Sequence, residues 1–177
     1  TDPFADRDSD DARMKALITG VAGFIGSHLA ESLLERGHAV VGLDGFTDYY
    51  AREIKAGNIA SLRTRPDFRF VESSIQKAPW PALLDGVTHV FHLAALPRIQ
   101  PSFDDPVGHE DVNVVGTIRC LEAVKGNSKL KKFVFSSSSA CYGNPDELPT
   151  PESAIISCLS PYALQKYAAE QYALILG

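Results

Sequence analysis

The run Thr19-Gly20-Val21-Ala22-Gly23-Phe24-Ile25-Gly26 constrains this chain more than any other segment. Its glycines are spaced G-x-x-G-x-x-G. The apolar stretch before it, Met14 to Thr19, reads as a buried strand. The stretch after it, Phe24 to Arg36, reads as a helix with Ile25, Leu29, Leu33 and Leu34 on one face, stopped by Gly37. A glycine in such a turn takes positive φ without a Cβ penalty. A side chain there would hold a phosphate away from the backbone; glycine lets a pyrophosphate approach the amides and the positive end of the helix dipole. Gly26 would let the helix pack close to the strand. Ala39 to Leu43 reads as the next strand, and Asp44 follows it. A carboxylate at that point can accept hydrogen bonds from ribose hydroxyls and would repel a 2′-phosphate, which favours NAD over NADP. Arg52, close by in sequence, keeps the choice open. Three spaced glycines alone are a weak signal. A strand before, a helix after and an acid ending the next strand supply the context the fingerprint requires.

The rest of the chain repeats the alternation. Glu53 to Leu62 suggests a short helix that Pro66 helps to end. Phe68 to Glu72, Val87 to His92 and Lys132 to Ser136 read as further strands. A helix opens at Asp104-Asp105-Pro106, carries Val112, Val115, Leu121 and Val124, and fades near Gly126-Asn127. A last helix runs from Pro161 to Leu174, opened by Ser160-Pro161. This pattern predicts an α/β domain over residues 14–177: a Rossmann-like, doubly wound parallel sheet with helices on both faces. Residues 1–13 are acidic and polar and predict a disordered tail, not a signal peptide.

Composition narrows the partners. The 177 residues are 45% hydrophobic and 22% charged, enough to bury one core, and the net charge of −5 gives no reason to expect nucleic acid. No apolar run approaches the roughly 18 residues of a membrane span. Cys120, Cys141 and Cys158 are odd in number and form no C-x-x-C pair, and the five histidines lack metal-ligand spacing. Both observations argue against a disulfide framework and a metal site, and for a reducing cytoplasm.

A second constellation lies late in the chain. The fifth strand runs into Ser136-Ser137-Ser138-Ser139-Ala140-Cys141-Tyr142-Gly143, and Ser160-Pro161-Tyr162-Ala163-Leu164-Gln165-Lys166 opens the last helix. Tyr162 and Lys166 are four apart and share a helical face. A free tyrosine titrates near pH ~10 and is a poor base at neutral pH. A nearby ammonium favours the phenolate. The same lysine could hold a nicotinamide ribose, and a serine at a neighbouring strand end could hydrogen-bond a reacting oxygen. Parallel-sheet enzymes bind ligands at the carboxyl ends of their strands, where the glycine turn, Asp44 and the serines all fall.

These segments, with His92-Leu93-Ala94-Ala95 and Asn113-Val114-Val115-Gly116-Thr117, resemble the extended short-chain dehydrogenase/reductases over roughly residues 14 to 175, and within them the nucleotide-sugar 4-epimerases. The resemblance implies that Gly20, Gly23 and Gly26 are the dinucleotide glycines, with the amides of Phe24 and Ile25 near the pyrophosphate. It implies that Asp44 is the ribose acid and that Leu93, Ala94 and Ala95 lie along the cofactor. Asn113 would stand near the cofactor end of the fourth and fifth strands, and Ser136 in the cofactor site. His92 and Asn113 read equally well as residues that only shape loops. Ser138, four residues before Tyr142, matches the catalytic serine, with Ser139 as the substitute; Tyr162 and Lys166 match the catalytic pair.

Related dehydratases carry an acid between the catalytic serine and the following tyrosine, for proton transfers beyond the hydride step. Here the intervening residues are Ser139, Ala140 and Cys141, which favours a simple epimerase or oxidoreductase. The third strand of such proteins usually ends near an Asp-Ile pair; here the pair is Ser74-Ile75, a departure that bears on adenine affinity. Family members also continue beyond the catalytic helix into a carboxyl-terminal substrate domain, absent from this sequence. The resemblance therefore implies an NAD-dependent, cytoplasmic, homodimeric epimerase of a nucleotide sugar, UDP-glucose or a relative. The dimer would form through the helices at Pro106 to Val124 and Pro161 to Leu174. Two alternatives stand beside it: an NAD-binding module without turnover, and a keto-sugar reductase, which would consume NADH stoichiometrically.

Overall fold

A computed structural model describes residues 13–49 and 51–176. The expectation of a disordered tail over residues 1–13 falls, apart from Arg13, outside the described residues. Five strands form one parallel sheet in the order β3-β2-β1-β4-β5: β1 (Lys15–Thr19), β2 (Ala39–Asp44), β3 (Phe68–Glu72), β4 (His89–His92) and β5 (Lys132–Phe135). Alternate residues of β1 serve two cores. Ala16 and Ile18 pack with Ala30, Leu33 and Leu34 of helix α1 (Phe24–Glu35). Leu17 packs on the other face with Leu83, Val90, Cys120 and Val124. Both faces are covered over β1 and β2, as their near-continuous apolar runs require, while Lys132 and Val134 of the edge strand β5 are exposed.

Register positions the site. Thr19 pairs with Leu43 and with His92, and His92 pairs with Phe135. The ends of β2, β1, β4 and β5 therefore form one row, with Asp44 closing β2 and Gly20, Leu93 and Ser136 leaving the sheet on the same edge. The chain runs outward from β1 through β2 to β3, then crosses to β4 on the other side. That reversal of strand order makes the crevice above β1 and β4 the ligand position of an open α/β sheet.

Several boundaries differ from the sequence reading. Ile25 is not on the buried face of α1; it is 62% exposed, because that face is built from Gly26, Ser27, Ala30, Leu33 and Leu34. The expected helix over 53–62 divides into α2 (Arg52–Asn58) and a 3₁₀ turn at Leu62–Thr64. Two helices carried no periodic signal: α3 (Trp80–Leu84) and α4 (Ile99–Asp104) are one to two turns long and contain Pro81 and Pro101. The long helix after Asp105, whose carboxylate accepts from Gly108 N at 2.9 Å, divides into α5 (Pro106–Glu110), a π-helical turn (Asp111–Val115) and α6 (Gly116–Val124). The last helix, α7, spans Pro161–Leu176. Among the described residues no helix is long and apolar enough to cross a membrane.

Candidate active site

The glycine turn is built by exclusion. Gly20 has φ +75°, and a Cβ there would lie 3.0 Å from the backbone of Ala94. A Cβ on Gly26 would meet Gly20 O at 2.3 Å and Val21 Cα at 2.8 Å, so α1 can sit this close to the strand end only with glycine. Gly20 N and Val21 N donate to Leu43 O, which ties the turn to β2. Gly23 is the N-cap of α1, and no side chain caps the helix. Its first-turn N–H groups, starting with Phe24 and Ile25, have no partner within the helix and suit an anion.

Beside the turn, Asp44 is buried and accepts three hydrogen bonds. Its Oδ2 accepts from Ala22 N at 3.1 Å, and its Oδ1 from Phe46 N at 2.8 Å and from Lys55 Nζ at 3.2 Å. Lys55, on α2, is buried too and donates to Thr47 Oγ1 at 3.4 Å. Asn58, one turn further along α2, donates to Ala22 O at 2.9 Å and braces the turn. Ser74 precedes the 3₁₀ turn Ile75–Lys77 beyond β3, and Ser74 and Ile75 line the same space.

A hydrogen-bond chain fixes the loop after β4. Thr117 Oγ1 donates to Asn113 O at 2.7 Å, so it must accept from His92 Nε2–H at 2.9 Å. His92 Nδ1 then carries the lone pair and accepts from the Thr19 hydroxyl at 2.8 Å. Thr19 Oγ1 in turn accepts from Leu93 N at 3.2 Å and Ala94 N at 3.1 Å. Burial first, then the Lys166 charge, holds the imidazole neutral, its pKa pushed down to about 3. Asn113 sits in the π turn with its amide spent: Oδ1 accepts from Leu96 N at 2.7 Å, and Nδ2 donates to Leu96 O at 3.1 Å and Gln165 Oε1 at 3.3 Å.

Gln165 also donates to Pro106 O at 3.1 Å, and Tyr162 N donates to Ser102 Oγ at 3.0 Å, so α7 is held at its first turns. Lys166, buried, places Nζ 4.2 Å from the centroid of the Phe135 ring. Burial lowers its pKa from 10.5 to about 8, against the opposite pull of Cys141 and Glu170. Ser138 caps the 3₁₀ turn Ser139–Tyr142, accepting from Ala140 N at 3.2 Å.

One cleft of about 680 Å³ joins these parts, within the roughly 300–1,000 Å³ usual for ligand sites. Gly20, Gly23, Phe24, Ile25, Gly26, Asp44, Ser74, Ile75, Leu93, Ala94, Ala95, Ser136, Tyr162 and Lys166 all line it. Asn113 and Ser138 do not: the first braces the β4 loop from below, the second faces its own 3₁₀ turn. Lys55, Thr47 and Ser137 line the cleft and were not singled out from the sequence. Lys55 carries no signal in the sequence, where it reads as one more charge of a short helix. An uncapped helix, a cradle that any Cβ would fill and a carboxylate beside it fit a dinucleotide. Among the described residues no cluster of His, Cys, Asp and Glu could hold a metal.

Fold and site together define a Rossmann-like domain with a tyrosine–lysine pair at its cleft. The chain belongs to the extended short-chain dehydrogenase/reductases, and its residues 17–175 match the family described as GDP-mannose 4,6 dehydratase. A UDP-glucose 4-epimerase of Mycolicibacterium smegmatis is 40% identical over 161 residues, 90% of this chain and 50% of the relative. UDP-glucuronate 4-epimerase 1 of Arabidopsis thaliana is 35% identical over 162 residues, 89% of this chain and 38% of the relative. The crystal structure of UDP-glucuronic acid 4-epimerase from Bacillus cereus, in complex with UDP-glucuronic acid and NAD, superimposes with a TM-score of 0.88 at 36% identity. That match covers 92% of this chain and 52% of the other. The chain spans about half the length of such relatives.

Proposed function

We propose that this chain forms the NAD-binding and catalytic part of a UDP-sugar 4-epimerase working through a 4-keto sugar. The observation that carries the reading is that Tyr162 and Lys166 border the same cleft as the glycine turn and Asp44. In this reading the turn and the first N–H groups of α1 hold the pyrophosphate, Asp44 the adenosine ribose, and Lys166 the nicotinamide ribose. NAD, when bound, supplies the acceptor and then the donor of the sugar C4 hydride. Tyr162 takes the proton of the sugar 4-hydroxyl and later returns it. Ser138 accepts from Ala140 N, which leaves its O–H free; it stands next to the lining residue Ser137, and donation to the reacting oxygen requires that hydroxyl to turn into the cleft. Asn113 serves as a positioning residue, through Leu96 and Gln165, rather than by touching the cofactor.

The absence of a carboxylate at Ser139, Ala140 and Cys141 favours epimerisation over dehydration, although the matching family takes its description from a dehydratase. We place most nucleotide-sugar contacts in the half of the relatives that this chain does not match. The groove between α5 and α7, where Val107 is 77% and Leu164 58% exposed, supports a homodimer face. The free cysteines support a cytoplasmic setting. The test is Tyr162→Phe in the full-length protein, assayed with UDP-glucose, UDP-N-acetylglucosamine and UDP-glucuronate. Epimerisation should vanish while NAD binding by calorimetry persists; retained turnover would remove Tyr162 from its role. Stoichiometric NADH consumption would identify a reductase instead.

A further inference from the structure

The sequence reading left one cation, Arg52, as the reason to doubt that Asp44 selects NAD. The structure removes Arg52 from that position. Its guanidinium pairs with Glu72 at 2.7 and 2.9 Å and lies over the Phe46 ring at 4.5 Å, and it does not line the cleft. Lys55 takes its place. Its ammonium is 3.2 Å from Asp44 Oδ1, both side chains are less than a tenth exposed, and both line the cleft.

We propose that Lys55 is a specificity-determining residue of the cofactor site, and that Asp44 keeps a 2′-phosphate out chiefly by occupying the Lys55 ammonium in an ion pair. The inference rests on the NAD-binding reading above. A buried carboxylate facing a ligand alone would repel a phosphate strongly. Here an ammonium at contact distance cancels most of that field, so charge alone discriminates weakly. The remaining discrimination comes from what each group has left to offer. Asp44 accepts from two backbone N–H groups and from Lys55, and a ribose hydroxyl can still donate to it, whereas a phosphate oxygen cannot. Lys55 gives one N–H to Asp44 and one to Thr47. Removing the Asp44 charge leaves the Lys55 ammonium uncompensated, so that an anion in the same space can compete for its Asp44-directed N–H and take the third. The carboxylate thus masks a phosphate-binding lysine built into α2. Of the two other lysines bordering the cleft, Lys166 is the buried residue of α7 beside Phe135, and Lys77 is exposed and forms no ion pair among the described residues.

The experiment measures NAD and NADP dissociation constants by calorimetry for the unsubstituted protein, Asp44→Asn, Asp44→Asn/Lys55→Met and Asp44→Asn/Lys77→Met. Circular dichroism confirms that each variant is folded. Removing both members of a buried pair is better tolerated than removing one, so the Lys55 double variant is the safer fold. Asp44→Ser serves in place of Asp44→Asn if the new amide N–H, set against Ala22 N, prevents folding. Asp44→Asn should move the ratio of NADP to NAD affinity toward NADP by roughly 10–100-fold, the value of one hydrogen bond to a charged group. Lys55→Met should abolish that gain in the double variant, and Lys77→Met should leave it. No gain in Asp44→Asn or Asp44→Ser, or a gain that survives Lys55→Met, overturns the proposal. If the unsubstituted protein binds neither dinucleotide, the cofactor reading fails and this proposal fails with it.

Discussion

Replacing Lys166 by methionine should make the protein more stable and inactive. The lysine is buried in α7, and among the described residues no carboxylate lies within ion-pair distance of Nζ. Its pKa falls from 10.5 to about 8, and burial is the leading cause. A lowering of that size corresponds to about 3 kcal/mol of penalty on the charged form. The contact with the Phe135 ring at 4.2 Å returns part of it, about 1–2 kcal/mol for a desolvated cation–π pair. A methionine of similar length keeps a sulfur–aromatic contact and carries no charge to bury. The expected gain at pH 7 is therefore about 1–3 kcal/mol, read as a higher urea midpoint at unchanged slope. The sign fixes the pH window. Below pH 8 the folded and unfolded lysines are both charged, and the full penalty destabilises the unsubstituted protein. Between about pH 8 and 10.5 the unfolded state binds more protons, so the stability of the unsubstituted protein rises with pH and the gap closes. A Lys166→Met protein less stable at pH 7, or a gap that stays constant up to pH 10.5, would refute the argument that Lys166 is held charged against its own solvation.

Two further substitutions test the parts that hold the cleft. Gly26→Ala should destabilise by roughly 1–3 kcal/mol and abolish NAD binding, because its Cβ meets backbone at 2.3 and 2.8 Å; Gly23→Ala, whose Cβ meets only Gly20 O at 3.2 Å, should lose binding at little cost in stability by thermal melting. If both melt alike, the tight packing of α1 on the strand is not what Gly26 provides. Thr19→Val keeps the side-chain shape but orphans Ala94 N and the His92 Nδ1 lone pair, for a loss of roughly 2–4 kcal/mol in urea unfolding. Thr19→Ser should recover most of that loss, and failure to do so would point to packing of the methyl group instead.

The sheet was legible because each strand is a short, dense apolar run, and the strand ends were legible because glycine, aspartate and serine break those runs where the register aligns them. Tyr162 and Lys166 were legible because four residues of helix bring two side chains to one face. Lys55 was not. On a seven-residue helix with Arg52 and Glu53 it reads as a solvated charge, and only the fold places Asp44 against it. The helices α3 and α4 were missed because five or six residues with a proline carry no usable period. The π turn was missed because no residue pattern marks it; within it the Asn113 side chain is held by Leu96 and Gln165, contacts that only the fold supplies.

His92 shows why residue type alone could not assign a role at this edge. A histidine at the end of a strand that borders a cleft invites a reading as acid or base. Its two nitrogens are both committed, and the direction of each bond is forced by its neighbour, from the Asn113 carbonyl back to Ala94 N. Adding a proton at Nδ1 would turn an acceptor into a donor. Thr19 would then have to accept from the ring, its own hydrogen would lose its acceptor, and its lone pairs would be contested by Leu93 N and Ala94 N. Burial and this one-way chain oppose protonation together, consistent with a pKa near 3. The ring holds the cleft's wall in place through the neutral range and moves no proton there.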